Sequence, residues 1–316
     1  MSKVEHERSS SHGIQGSGVG DQGNNRQLNS DPQPSAVLKP NLAKKYAELR
    51  QILRDLESVA VAFSAGVDST LVLKVALDTL GSKNVVAVTG RSDSLSRAEF
   101  DEAGVIAAKL GAEHVILDTD EFDNPNYINN PTNRCYFCKS TLYEHMEPFI
   151  AERGLKAIVN GINVDDLGDY RPGIKAAREY GVRCPAAEAG LTKDDIRELS
   201  RQLGLPTHDK PASPCLSSRV QYGERITPEK LRMIEAGETF LHEMGIRQCR
   251  VRHHGNLARI EVPAESIPLL ADPVQATRID SFFRSLGYQY VALDLRGFRS
   301  GSMNEAIPLG LTQLQV

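Results

Sequence analysis

The chain has 316 residues, 40% of them hydrophobic and 25% charged, with a formal net charge of −4 at pH 7. This is an ordinary composition for a soluble globular protein with a real core; the length makes two domains the prior, and the acidic balance argues against a nucleic-acid binder, whose domains are usually basic. Five cysteines are too sparse and odd a set for a disulfide framework, and without a membrane-spanning apolar run or a signal peptide the expectation is a cytoplasmic protein with free thiols and no membrane partner.

Residues 1–39 are rich in Ser, Gly, Gln and Asn. Such a stretch buries too little apolar surface to offset its ordering entropy, so a disordered tail is expected. Leu42, Tyr46, Leu49, Ile52, Leu53 and Leu56 then recur at steps of three and four, the period of an amphipathic helix. "SVAVAFS" is short, apolar and β-branched, which predicts a buried strand. "DSTLVLKVALDTLG" predicts a helix closed by Gly81. "NVVAVTG" predicts a second strand, "SLSRAEFDEAGVIAAKLG" a helix and "HVILDTD" a third strand. A loop, "DNPNYINNPTN", leads to Cys135-x-x-Cys138, which starts another helical pattern, and "KAIVNG" predicts a fourth strand. Strands alternating with helices indicate the α/β class, a doubly wound, mostly parallel sheet.

After Gly161 the pattern breaks into the polar "INVDDLGDYRPG". "LTKDDIRELSRQLGL" predicts a helix opened by Thr192-x-x-Asp195, akin to a capping box. About twenty residues around Cys215 show no periodicity, and loops that long are often functional. From Thr227 onward a helix, the strands "CRVRHH" and "LARIEVP", a helix to Gly287 and the strand "YQYVALDL" make a small α+β unit. The expected organisation is therefore a nucleotide domain over 40–205, a cysteine-bearing loop over 206–226, and a C-terminal α+β domain for substrate or oligomerisation over 227–316.

The first strand runs straight into Ser64-Ala65-Gly66-Val67-Asp68-Ser69 and then a helix. Backbone N–H groups of such a loop and of the helix N-terminus point at one spot, and the helix dipole favours an anion there. Ser64 and Ser69 add hydroxyl donors, and Gly66 permits close approach. Asp68, the single acid of the loop, either holds Mg²⁺ on the phosphates or caps the helix. The bland alternative is an ordinary strand-to-helix turn. Neither a Walker-type P-loop nor a dinucleotide fingerprint is present.

This loop resembles the S-G-G-x-D-S PP-loop of the ATP pyrophosphatases, with Ala65 in place of the first Gly. The resemblance implies binding of ATP, cleavage between its α and β phosphates, adenylation of a substrate and release of pyrophosphate. "NGINVDDLGDYRPGIKAARE", "KPASPCLSSR" and "LDLRGFRSGSMN" together resemble the LarE family of ATP-dependent sulfur transferases. That resemblance covers nearly all of the chain expected to be ordered. It implies a small-molecule nucleotide substrate, pyridinium-3,5-biscarboxylic acid mononucleotide. Its carboxylates would be adenylated and converted to thiocarboxylates on the way to the nickel-pincer nucleotide of lactate racemase. A homo-oligomer is implied as well.

Cys135 and Cys138, one helical turn apart, lie on one face of a helix. On their own they fit an iron–sulfur cluster, zinc, a redox pair or simple packing. Cys215 in "SPCLSS" stands at the family's sulfur-handling position, where single-cysteine members use it as a sacrificial donor. The two further cysteines resemble the three-cysteine subgroup, in which Cys135, Cys138 and Cys215 would hold a [4Fe–4S] cluster and sulfide or another sulfur donor would be consumed instead. Cluster ligation normally uses four thiolates, so three leave one iron open. Cys184 and Cys249 read as small apolar residues.

A substrate with a phosphate and two carboxylates needs cations. Arg250 and Arg252 share one face of a strand, which suits an oxyanion, and the resemblance implies phosphate binding there. Arg171 and Arg299 are further candidates, Lys210 and Arg219 flank the cysteine loop as possible phosphate neutralisers, and Glu261 is polar in an apolar strand, fit to orient an arginine or a metal. His253 and His254 read as surface residues. Three competing functions share the loop: a tRNA thiolase, an amidating synthetase of the NAD or GMP type, and a non-catalytic nucleotide-sensing module.

Overall fold

The structure, a computed structural model, describes residues 38–168 and 172–299. The expected tail and Arg171 lie outside them, the tail but for Leu38 and Lys39. Four parallel strands, β1 (Val59–Ala62), β2 (Val85–Arg91), β3 (Glu113–Asp118) and β4 (Ala157–Val159), form a sheet in the order β3-β2-β1-β4. All four β1 residues are buried, as the unbroken apolar run requires of a strand covered on both faces. β1 pairs Val59 with Val85 on one side and with Ala157 on the other. The α/β reading therefore holds.

The helices follow their sequence signals. The Pro40–Leu56 helix buries Leu42, Tyr46, Leu49 and Leu53 against the Val67–Leu80 helix and its surroundings. The Arg97–Leu110 helix stops at Gly111, whose φ of 72° is left-handed. Thr192 and Asp195 make a reciprocal capping box at the start of the Lys193–Gln202 helix, so Asp serves where Glu is usual. Two segments expected to be loops each contain one short helical turn. Pro125–Ile128 is capped by the Asn124 side chain, and Val164–Leu167 by a box between Asn163 and Asp166. Neither is long enough to show periodicity.

A second sheet holds β5 (Arg250–His254), β6 (Leu257–Glu261) and β7 (Tyr290–Leu293) in that order, β5 antiparallel and β7 parallel to β6. The helices Pro228–Glu243 and Pro273–Ser285 complete this unit. Its apolar core also takes in Tyr127, Leu216, Val220 and Ile226, which come from the segments on either side of the cysteines. Cys249 is part of that core, and burial pushes its thiol up to about 12, in keeping with a packing role. Cys184 is half-buried.

Two sequence expectations change here. Arg219 is not a phosphate neutraliser: it is 3% exposed and bonded through Nε and Nη2 to both carboxylate oxygens of Glu238 at 3.0 Å. Its Nη1 also donates to the carbonyls of Pro214 and Cys215. It shapes the cysteine loop from within. His253 is not on the surface: it is 2% exposed, between the Tyr288 hydroxyl and Glu224. Glu238→Ala would leave Arg219 buried without a counter-charge. Thermal or urea unfolding should show a loss of about 3–5 kcal/mol; a loss below about 1 kcal/mol would mean that the pair does not hold the loop.

Candidate active site

The loop expected to cradle phosphate leaves its helix N-terminus without a side-chain cap among the described residues. Gly66 is the N-cap of that helix, Val67–Leu80. Its first N–H groups thus keep their donors free for an anion. Ser64 and Ser69 face one another, with their hydroxyl oxygens 3.3 Å apart. Ala65 has φ +54°, a left-handed conformation that disfavours any residue with a Cβ. That explains why glycine is usual at this position of the motif. Asp68 does not cap the helix. Its carboxylate accepts from Lys193 Nζ at 2.5 Å and from Asn163 Nδ2 at 3.1 Å. Gly161, at the end of β4, lies so close that a Cβ there would sit 2.7 Å from Ser69 N. The "NGIN" segment therefore backs the cradle directly.

The cysteines come from two places in the chain. Cys135 and Cys138 occupy the first turns of the Arg134–Arg153 helix, and Cys215 immediately precedes the turn Leu216–Arg219. A set of bonds draws the two segments together. Arg134 Nη1 donates to Ser217 O at 2.9 Å, and Tyr127 Oη lies 2.6 Å from Ser217 Oγ. Asn130 Nδ2 donates to the carbonyls of Val220 and Gln221. On the other side Leu216 N donates to Ser94 O. The hydroxyls of Ser92 and Ser94 in turn donate to Glu121, a carboxylate only 2% exposed.

As a result Cys138 feels both other cysteines. Burial pushes the Cys138 thiol up, and the negative charges of Glu121, Cys215 and Cys135 push it further. A proton held this firmly leaves when a metal or cation takes its place. Lys139 supplies positive charge: burial lowers its pKa, but its neighbours Tyr143, Cys138, Cys135 and Cys215 together raise it by more. Among the described residues no group of three or more His, Cys, Asp and Glu side chains is arranged to hold a metal ion. The structure brings the thiols into one neighbourhood and does not close them into a chelate.

The arginine pair of β5 is buried rather than solvated, with Arg250 at 9% and Arg252 at 6% exposure. Their roles differ. Glu261 Oε2 accepts from both Nε and Nη2 of Arg252, at 3.0 and 2.8 Å, so the acid in the apolar strand orients an arginine. Arg250 donates to the carbonyls of Cys249 and Ala212 and lies 5.3 Å from the Phe298 ring centroid. Burial lowers its pKa, and the neighbouring Arg219 and Arg252 lower it further. Arg299 donates to Gly297 O. Pro214, Arg250, Arg252, Phe298 and Arg299 line a cleft of ≈ 170 Å³, beside the cysteine segment. Lys210 ties that segment to the cradle, donating to Ala65 O at 3.3 Å and to Glu102 at 2.8 Å.

Sequence reasoning singled out the Ser64–Ser69 loop, the cysteines and the arginines. It missed Lys193, Asn163, Tyr127, Asn130, Arg134 and Glu238, whose roles depend on partners 19 to 125 positions away. Two substitutions test the cradle by ATP titration. Gly161→Ala forces its new methyl into Ser69 N. Overpacking of this kind costs about 1–3 kcal/mol, so the Kd for ATP should weaken by about tenfold, and unchanged affinity would remove Gly161 from the site. Ala65→Gly relieves the left-handed strain and should raise stability by roughly 1 kcal/mol with ATP binding kept.

No family model matches the chain. Over 266 residues, 84% of the chain, it is 47% identical to an uncharacterised protein of Synechocystis, 99% of which is covered. Over the same length it is 41% identical to the pyridinium-3,5-bisthiocarboxylic acid mononucleotide synthase of Lactiplantibacillus plantarum, with 96% of that protein covered. One component of the glutamine-hydrolysing GMP synthase of Archaeoglobus fulgidus is 22% identical over 208 residues, 62% of this chain and 67% of its own. The distant match fits the shared nucleotide-binding sheet. The extent of the match to the mononucleotide synthase decides the family: the chain belongs to the LarE family of ATP-dependent sulfur transferases.

Proposed function

We propose that this protein adenylates the carboxylates of pyridinium-3,5-biscarboxylic acid mononucleotide and converts them to thiocarboxylates, a step in nickel-pincer nucleotide biosynthesis. The observation that carries this reading is the meeting of an uncapped phosphate cradle with a cysteine segment that Lys210 ties to it. An ATP-splitting site and a sulfur-handling site are thereby joined through one side chain.

The chemistry follows from the groups present. A carboxylate is a poor electrophile. Its oxygen attacks the α-phosphorus of ATP, the α–β bridging bond breaks, and pyrophosphate leaves. The acyl adenylate then carries a good leaving group. A sulfur nucleophile attacks the acyl carbon, the C–O bond to AMP breaks, and the thiocarboxylate remains. The N–H groups after Gly66, with Ser64 and Ser69, hold the phosphates of ATP through Ala65–Ser69. Asp68 would hold Mg²⁺ on those phosphates, with Lys193 and Asn163 fixing its carboxylate. Arg250 and Arg252 would take the substrate phosphate, with Arg299 and Arg171 as further cations.

Cys135, Cys138 and Cys215 have the donor chemistry of an iron–sulfur site, and the cations Arg134 and Lys139 stand beside them to balance anionic sulfur. A [4Fe–4S] cluster held by these thiolates would supply an iron free of protein ligands at which sulfide from a donor is taken up. The enzyme would then turn over without consuming Cys215, and as a homo-oligomer in keeping with its family.

The test is anaerobic reconstitution followed by iron, labile-sulfide and pyrophosphate assays on wild type and the three Cys→Ala variants. About four iron and four sulfide per chain are expected, lost in each variant, while substrate-dependent pyrophosphate release continues. If wild type takes up no iron and loses one sulfur in mass during turnover, Cys215 is a sacrificial donor and the cluster reading fails. If no pyrophosphate is released with the mononucleotide, the substrate assignment fails.

A further inference from the structure

Arg134 is the first residue of the cysteine-bearing helix and is 3% exposed. A guanidinium keeps its charge at every pH a protein tolerates, and a buried charge without compensation is costly. Two other buried arginines are answered by carboxylates: Arg219 by Glu238 and Arg252 by Glu261. Arg134 has no such partner among the described residues. Its Nη1 donates to two neutral acceptors, Asn130 Oδ1 at 2.5 Å and Ser217 O at 2.9 Å, and its guanidinium carbon lies 5.9 Å from the Tyr222 ring centroid. Ser217 is two residues from Cys215, and Arg134 is next to Cys135. Burial works against this charge, yet its neighbours Cys215, Cys135, Tyr127 and Tyr222 together favour it by more.

We infer that Arg134 is a positioning residue for sulfur transfer, locking the Cys215 segment to the C-x-x-C turn and setting a permanent positive charge that selects anionic sulfur, such as hydrosulfide, over neutral nucleophiles. The inference rests on the reading that these cysteines handle sulfur. Other charges face the same thiols: Lys139 works with Arg134, Glu121 works against both, and Arg219 donates to the Cys215 carbonyl with its charge answered by Glu238. Arg134 differs from Lys139 in that its bond to Ser217 couples the charge to the geometry.

The experiment uses the full chain without metal and compares alkylation of Cys215 by iodoacetate, an anion, and by iodoacetamide, which is neutral, with peptide mass spectrometry as readout. The ratio of the two rates, divided by the same ratio for a free cysteine peptide, cancels the thiolate fraction and reports the local field. A fixed charge in a partly desolvated site should raise the normalised ratio by about fivefold in wild type. Arg134→Lys keeps the charge and should keep the ratio. Arg134→Gln keeps hydrogen bonding, loses the charge, and should bring the ratio close to that of the peptide. With sulfide as donor, the same Gln variant should show a raised KM for sulfide, and Arg134→Lys should restore it. A wild-type ratio equal to that of the peptide, or equal ratios in the Lys and Gln variants, would overturn the proposal. If Arg134→Gln does not fold, Lys139→Gln decides: the raised ratio should persist in it, and a ratio that falls to that of the peptide would assign the field to Lys139 and overturn the proposal. Since alkylation needs no turnover, a wild type that transfers no sulfur would sink the proposed function and leave this result readable.

Discussion

Everything at the cysteine site depends on the bonding of one peptide, Ser217, to the segment before the C-x-x-C helix. Its carbonyl accepts from Arg134 and its hydroxyl pairs with Tyr127, while Asn130 holds the next carbonyls along. These three side chains lie within eight residues of one another, and their acceptors lie about 90 positions further on. Backbone carbonyls in an aperiodic loop need partners once they are buried. Here side chains add to the few backbone bonds of the turn, in which Val220 N also donates to Ser217 O. These bonds tie the segment that carries Cys215 to the one that carries Cys135 and Cys138.

The arginines divide by what answers their charge. Arg219 and Arg252 are paired to Glu238 and Glu261; Arg219 serves to shape the cysteine loop, while Arg252 also lines the cleft. Arg134 and Arg250 donate to neutral carbonyl oxygens and keep net positive charge at the cysteines and at the cleft. A protein of net charge −4 thereby concentrates positive charge at the cysteine segment and at the cleft beside it. Low-dielectric surroundings make such fixed charges effective at close range. The same reasoning distinguishes Asp68 from a helix cap: Lys193 and Asn163 hold it beside the cradle, where a carboxylate can meet a cation on the phosphates.

The scaffold was readable because its signals are local. β1 and β2 are unbroken apolar runs, Gly111 stops a helix by its left-handed φ, and Thr192 and Asp195 cap one reciprocally. The cradle was readable because a strand, a short Ser/Gly/Asp loop and a helix are contiguous. The Pro125–Ile128 turn was not, since four residues cannot display a period. The burial of His253 is hidden for a related reason: it comes from Tyr288 and Glu224, and nothing in "CRVRHH" announces them.

By itself, then, the sequence determined the α/β sheet, the phosphate loop, the three cysteines and the strand that carries Arg250 and Arg252, because each is written in adjacent or periodic residues. Tertiary structure alone decided which charges are free to act on a ligand. Arg219 flanks Cys215 and looks available, yet Glu238 neutralises it; Arg134 looks like a surface residue beside a cysteine, yet it is buried and has no acid among the described residues to answer it. The physical reason is that a side chain's chemistry is set by the company it keeps after folding. That company comes from distant parts of the chain, and the sequence does not record the distance between them.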